Sequence, residues 1–153
     1  MALVAFCRWL SARTAPSLDG DIVRLPTEWE WQWAAQGGDQ QRPYPWGEES
    51  PDEARLCCIA ASESGGTTPV GLFPDGVSRD GLVDMLGNIW EWCLNDYDDP
   101  ATTATDAAVE SRTIRGGSWL EHESNTRCAV RGRLRPDNRN ISVGFRVCRC
   151  SPS

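Results

Sequence analysis

Hydrophobic positions near the start of the chain follow helical spacing. Leu3, Phe6, Trp9 and Leu10 recur three and four residues apart, which predicts a helix over residues 2–13. Pro16, Asp19 and Gly20 are expected to break it. Ile22-Val23-Arg24-Leu25 reads as a short strand. Pro26-Thr27 opens a second helix, with Thr27 and Glu30 forming an S/T-x-x-E capping box. Trp29 and Trp33, four apart, share a face of that helix, and Gly37-Gly38 ends it. Residues 38–82 are rich in Gly, Pro, Ser and Asp and carry few strand patterns. So long an irregular stretch inside a domain is functional or tied down by specific contacts. Residues 83–92 are compact and apolar, and 95–111 are polar and small, as in a surface loop. Thr113-Ile114-Arg115 and residues 143–149 predict strands, the second on alternating Val143, Phe145 and Val147. No internal repeat is present. The pattern gives one α+β domain over residues 1–153, with much irregular backbone.

Composition supports a globular chain. Its 153 residues are 40% hydrophobic and 24% charged, enough for a sizeable core and unlike a disordered segment. Apolar runs fall far short of a bilayer span, so membrane insertion is not expected. The N-terminus lacks the basic start, apolar stretch and cleavage site of a signal peptide. The default location is therefore the cytoplasm, and surface display would need a leader or a fusion partner. A net charge of −7 excludes wholesale binding to nucleic acid or anionic membrane.

Charge and cysteine usage refine this. Residues 1–110 carry 19 acids and 6 arginines, whereas 111–153 carry 3 acids and 9 arginines. Either the two parts pack together and neutralise one another, or Arg127, Arg131, Arg133, Arg135, Arg139 and Arg146 form a phosphate-binding surface. The acidic remainder favours the first. Seven cysteines, an odd number, argue against a complete disulfide framework. Cys57-Cys58 are adjacent, Cys148 and Cys150 are too close for ordinary zinc spacing, and there is one His. Free or structural thiols are the favoured reading, ahead of one or two disulfides and well ahead of a metal.

Four motifs occur in order. They are Arg24-Leu-Pro-Thr-Glu-Trp-Glu-Trp, Tyr44-Pro-Trp-Gly, Gly81-Leu-Val-Asp-Met-Leu-Gly-Asn-Ile-Trp-Glu-Trp, and Arg115-Gly-Gly-Ser-Trp followed by Gly144-Phe-Arg-Val. Gly116-Gly117 permits close backbone approach where the bulky Trp119 must be buried. Trp90 and Trp92 share a face if extended, with Glu91 pointing away from them. Together the series resembles the formylglycine-generating-enzyme, or sulfatase-modifying-factor, domain. The resemblance runs from about Phe6 to Cys148 and implies a loop-rich variant of the C-type lectin fold. The family's early strands have no counterpart here, which implies a minimal version or an excised piece.

The enzymes of that family oxidise a cysteine of a substrate protein, using a copper-bound cysteine pair just after the Gly-Gly-Ser-aromatic motif. In this chain Glu121 stands about where the first cysteine would be, and Cys128 matches a framework position. Carboxylate does not replace thiolate for soft Cu(I). The iron-dependent relatives need a histidine triad, and His122 is the only His. The resemblance therefore implies a non-catalytic member without copper.

The segment from Arg115 to Arg146 is more similar to the variable proteins of diversity-generating retroelements. Arg135-Pro-Asp-Asn-Arg-Asn-Ile-Ser-Val-Gly-Phe-Arg146 follows their pattern, and the distance from Trp119 fits without a gap. In those proteins template adenines are copied to random bases, so Asn codons (AAC) vary. Where the pattern has Asn, this chain has Leu120, His122, Asn125, Val130, Gly132, Leu134, Arg135, Ile141 and Ser142, each reachable from AAC by adenine changes alone. Glu121 is not reachable, and is either fixed or derived from another codon. Arg115, Gly116, Gly117, Trp119, Arg131, Pro136, Asp137, Asn138 and Arg139 keep the framework. The resemblance implies a variable region of about 115–146 that binds a protein or other macromolecule. Unremarkable surface variation is the plainer alternative. A non-catalytic relative with one fixed partner is the second functional reading, and the copper oxidase a distant third.

Asp84-Met-Leu-Gly-Asn-Ile-Trp-Glu91 resembles the family's second calcium loop. That resemblance assigns Ca2+ to the side chains of Asp84 and Glu91 and the carbonyls of Gly87 and Ile89, since hard oxygen donors suit calcium. The alternative is that the two acids cap the loop's own N–H groups. Arg55 lies near an expected ligand of the family's other calcium site, where a cation repels calcium.

Overall fold

The computed structural model describes residues 2–52, 55, 65–103, 109–122 and 125–151. Helix α1 spans Ala2–Leu18, longer than predicted, and carries Pro16 inside its last turn. Proline removes one N–H there but fits helical φ. Elsewhere in this stretch Thr14 Oγ1 donates to the Leu10 oxygen and Ser17 Oγ to that of Thr14. Termination comes two residues later, where Asp19 and Gly20 both take positive φ. Leu18 is buried at this end, and its carbonyl accepts from the Asp21 N–H and from Arg149.

Strand β1 (Ile22–Arg24) leads to helix α2 (Glu28–Ala35). The capping box forms as the sequence reads: the Thr27 side chain accepts from the Glu30 N–H, and Glu30 accepts from the Thr27 N–H. Asn95 Oδ1 accepts from the Glu28 N–H at 2.6 Å and satisfies another of the helix's first donors. Trp29 and Trp33 do share a face, but it is the exposed one, and Trp31 is the core residue.

Four further strands follow: β2 (Trp90–Asp96), β3 (Arg112–Arg115), β4 (Arg131–Leu134) and β5 (Val143–Gly144). They form one sheet in the order β4-β3-β2-β5, in which β2–β3 and β3–β4 are antiparallel and β2–β5 is parallel. The strand predicted over 143–149 is two strands. Val143 pairs with Trp90, and after a crossing β6 (Cys148–Cys150) pairs with β1 in a separate two-stranded sheet. The alternation of Val143, Phe145 and Val147 runs through that crossing.

Period-two alternation along β2 divides the core. Trp92 and Leu94 pack with Cys7 of α1, Leu25 and Ile114, with Trp90, Leu134, Val143 and Phe145 at the margin. Cys93 faces the other way, into Trp31 and Ala35 of α2, Tyr44, Met85, Leu86 and Cys128. Glu91 and Asn95 lie on that second side too, as their bonds to Trp31 and α2 require.

The irregular stretch before β2 is held by specific bonds. Tyr44 and Gly47 exchange both backbone hydrogen bonds, and Tyr44 stacks on Trp46 at 5.4 Å. Asn88 exchanges two bonds with the backbone of Thr68, and Asp84 Oδ2 accepts from the Gly71 N–H at 2.8 Å. No described helix is long and apolar enough to cross a membrane. Cys57 and Cys58 lie outside the described residues, while Cys7, Cys93, Cys128, Cys148 and Cys150 are free thiols.

Candidate ligand-binding surface

The Arg-Gly-Gly-Ser motif forms a fixed base. Arg115, at the end of β3, is fully buried. It donates to the carbonyls of Ala129 and Val130 and to Gln32 of α2, and it lies 5.5 Å over the Trp31 ring. One guanidinium thus ties β3, α2 and the 128–130 turn together. Burial pushes its pKa below the usual arginine value. Gly116 has φ +95, and a Cβ there would stand 3.1 Å from the Met85 carbonyl and 3.2 Å from the Trp31 ring. The close approach is therefore to Trp31 and Met85, whereas Trp119 remains partly exposed. The Gly87 N–H donates to the Gly116 carbonyl and the Trp119 N–H to that of Asn88, which locks the 84–91 loop onto the motif.

Two ion pairs on this frame join the acidic and basic parts of the chain. Arg131 clasps Glu28, whose side chain is 0% exposed, at 2.6 and 3.0 Å. Arg146 clasps Glu91 at 2.5 and 2.8 Å, and Trp31 Nε1 donates to the same carboxylate at 2.7 Å. At the surface Arg149 pairs with Asp21 and Arg133 lies 3.6 Å from Asp98. Arg131, Arg133, Arg146 and Arg149 thus face acids of the N-terminal part, while Arg135 pairs with Asp137 of its own segment. Sequence reasoning missed Trp31 and both clasps, because each partner is recognisable only beside the other.

On this frame the nine candidate positions fall into three groups. Leu120, His122, Asn125, Arg135 and Ile141 are exposed, Ile141 at 77%. Val130, Gly132 and Leu134 are half-buried. Gly132 and Leu134 share the β4 face that packs toward β3 and Trp90: a Cβ on Gly132 would lie 2.8 Å from Ile114 Cγ1 and 3.3 Å from Trp90 Cζ3. Ser142 is the exception, at 5% exposure with its hydroxyl bonded to Asn140, so a ligand cannot reach it in this arrangement. Trp90, from outside the variable region, links these segments. Its Nε1 donates to Glu121 Oε1 at 3.1 Å, its ring lies beside Gly132, and its N–H donates to the Ser142 carbonyl at 2.8 Å. Leu134 and Arg135 also line a polar depression with Asp98, Glu110, Ser111 and Asn138.

The residues assigned to calcium do not fit that ion. Both Glu91 oxygens already face the Arg146 guanidinium, and one also accepts from Trp31. Arg146 further donates to the carbonyls of Val83 and Asp84, while the Asp84 carboxylate accepts from Gly71. A fixed cation already balances Glu91, leaving Asp84 as the remaining acid of the assigned set, where calcium needs six to eight oxygens. Loop capping, the alternative for Asp84, is what the geometry displays. Glu121 is a hydrogen-bond acceptor for Trp90 and Asn125. Cys128 is in the core with its thiol pushed up to about 12 by burial, so it is protonated at neutral pH.

Fold and framework define a chain of the sulfatase-modifying-factor class. The chain belongs to that family: residues 2–151 match the Sulfatase-modifying factor enzyme 1-like domain. It is 38% identical over 154 residues to the formylglycine-generating enzyme of Thermomonospora curvata, covering 84% of this chain and 50% of that enzyme. It is 34% identical over 155 residues to the inactive C-alpha-formylglycine-generating enzyme 2 of Mus musculus, covering 93% and 44%. The structure of Treponema denticola variable protein 1 matches with a TM-score of 0.68 at 27% identity, over 88% of this chain and 50% of that one. The chain thus spans about half the length of the relatives it matches.

Proposed function

We propose that this chain is a non-catalytic ligand-binding domain whose C-terminal surface is diversified by a retroelement through adenine-directed mutagenesis. The observation that carries the reading is a partial partition of residues 115–146, in which the framework residues Asp137, Asn138 and Arg139 are also exposed and Ser142 is buried. Arg115, Ser118, Thr126 and Cys128 are buried, and Arg131 is spent on Glu28. Leu120, His122, Asn125, Arg135 and Ile141, five of the nine adenine-reachable positions, are exposed between them. A surface that tolerates large substitutions needs this division, because its backbone must be held by residues that do not change. Likeness to a variable protein and to an inactive relative supports the same reading. The ligand is a protein or other macromolecule, bound without calcium or copper.

Sequencing the DNA around the gene tests this. A near-copy of the stretch encoding residues 115–146, differing only at adenines and lying beside a reverse-transcriptase gene, is the expected result. Absence of any copy would sink diversification and leave a fixed-partner relative. Stoichiometric Cu(I) binding would instead return the oxidase.

A further inference from the structure

Between Trp119 and Asn125, Glu121 and Glu123 fit neither the framework nor the adenine-reachable set, and Glu121 is the one of the two that the structure describes. Its geometry supplies a reason. Oε1 accepts from Trp90 Nε1 at 3.1 Å, and Oε2 accepts from Asn125 Nδ2 at 3.2 Å. Trp90 meets three separate stretches that bear candidate variable positions: 120–122 through Glu121, β4 through the ring edge at Gly132, and 141–142 through its backbone N–H. It stands in β2, outside the variable region, on a strand fixed on both sides by β3 and β5. Its side chain is half-buried and so keeps part of its surface open.

We propose that Trp90, oriented by Glu121, is the constant contact at the centre of the variable surface. It meets every ligand whatever residues surround it, and Glu121 is its positioning residue. The inference rests on the ligand-binding reading above. An indole suits the task physically. It offers a large flat apolar area, loses little side-chain entropy because it is already held, and does not demand one partner chemistry. A carboxylate clamp explains why position 121 stays outside the diversified set, since changing it would release the ring. The ligand groups that suit this centre are apolar or aromatic side chains of a protein.

The test is a displayed library of the full chain, randomised at Leu120, His122, Asn125, Arg135 and Ile141, and selected against lysozyme and, separately, streptavidin. In binders to both targets, the Trp90 indole N–H resonance, assigned with Trp90→Phe, is expected to shift on complex formation. The indole of Trp31, buried and bonded to Glu91, is expected to stay. Trp90→Phe, which keeps an aromatic ring in the fold, is expected to weaken both binders about tenfold, close to 1.4 kcal/mol. Glu121→Ala should weaken them similarly and Glu121→Gln, which keeps an acceptor, should restore them. An unmoved Trp90 signal in both complexes overturns the proposal, as do Trp90→Phe binders of undiminished affinity. In either case binders exist, so the ligand-binding reading survives. A library that yields no binder to either target counts against that reading itself, and the proposal falls with it.

Discussion

Buried charges at single residues set the strongest constraints in this chain. Glu28 and Glu91 are almost free of solvent, and each is neutralised by one arginine from the C-terminal part. Removing one partner strands a charge, which costs about 3–5 kcal/mol. Arg146→Ala and Arg131→Ala are each expected to lose stability on that scale by urea denaturation. Replacing both members of the Arg146–Glu91 pair together should cost less than the single changes add up to, because no charge is left alone. The same clasp governs the calcium question. Adding millimolar calcium or EDTA is expected to leave the melting temperature unchanged. A rise with calcium would mean that Arg146 yields its place to the ion.

At the scale of elements, α2 carries the clearest local instructions. Thr27→Ala removes the cap acceptor and is expected to cost about 1 kcal/mol in chemical denaturation. Glu30, in the capping box and paired with Arg24, is held down to about 2 by the Arg24 guanidinium first and the Thr27 bonds next. Its folded value lies below the unfolded one of about 4.3. The pair therefore contributes stability above that pH and loses it as pH falls toward 2. A melting-temperature series from pH 5 to pH 2 should show this loss, and Glu30→Gln should flatten that part of the curve. The Arg24 and Glu30 side chains are 26% and 45% exposed, so the amplitude is modest. Helix α1 shows the opposite balance: Pro16 predicts a break, yet burial of Leu18 and the bond from Arg149 carry the helix past it.

Across the whole molecule, the division between frame and surface makes the widest prediction. Changing Leu120, His122, Asn125, Arg135 and Ile141 together to Ser is expected to leave the melting temperature within a few degrees, as exposed positions contribute about 0.5 kcal/mol or less each. Gly132→Val and Leu134→Ser should behave differently, since both positions face Ile114, Trp90 or their cluster. Sister copies of the chain should accordingly vary most at the five exposed positions and within a narrower range at Gly132, Leu134 and Ser142.

Much was legible from local pattern alone. The capping box, the short β1 and β3 strands and the turn of Glu91 away from Trp90 and Trp92 follow from backbone rules that act over a few residues, whereas α1 runs past its expected end at residue 13 to Leu18. Ordered motifs gave the family and the frame of the candidate surface. What the sequence could not decide depends on which distant groups meet. Trp29, Trp31 and Trp33 are alike on paper, and only the packing of α2 on β2 and β3 selects Trp31 for the core. The family resemblance assigns calcium to Asp84 and Glu91, but only folding brings Arg146 onto Glu91 from 55 residues away. Ser142 shares its codon logic with Ile141 beside it, yet one is buried and the other open. Local propensity acts through neighbours in the chain, whereas burial and charge pairing act through neighbours in space.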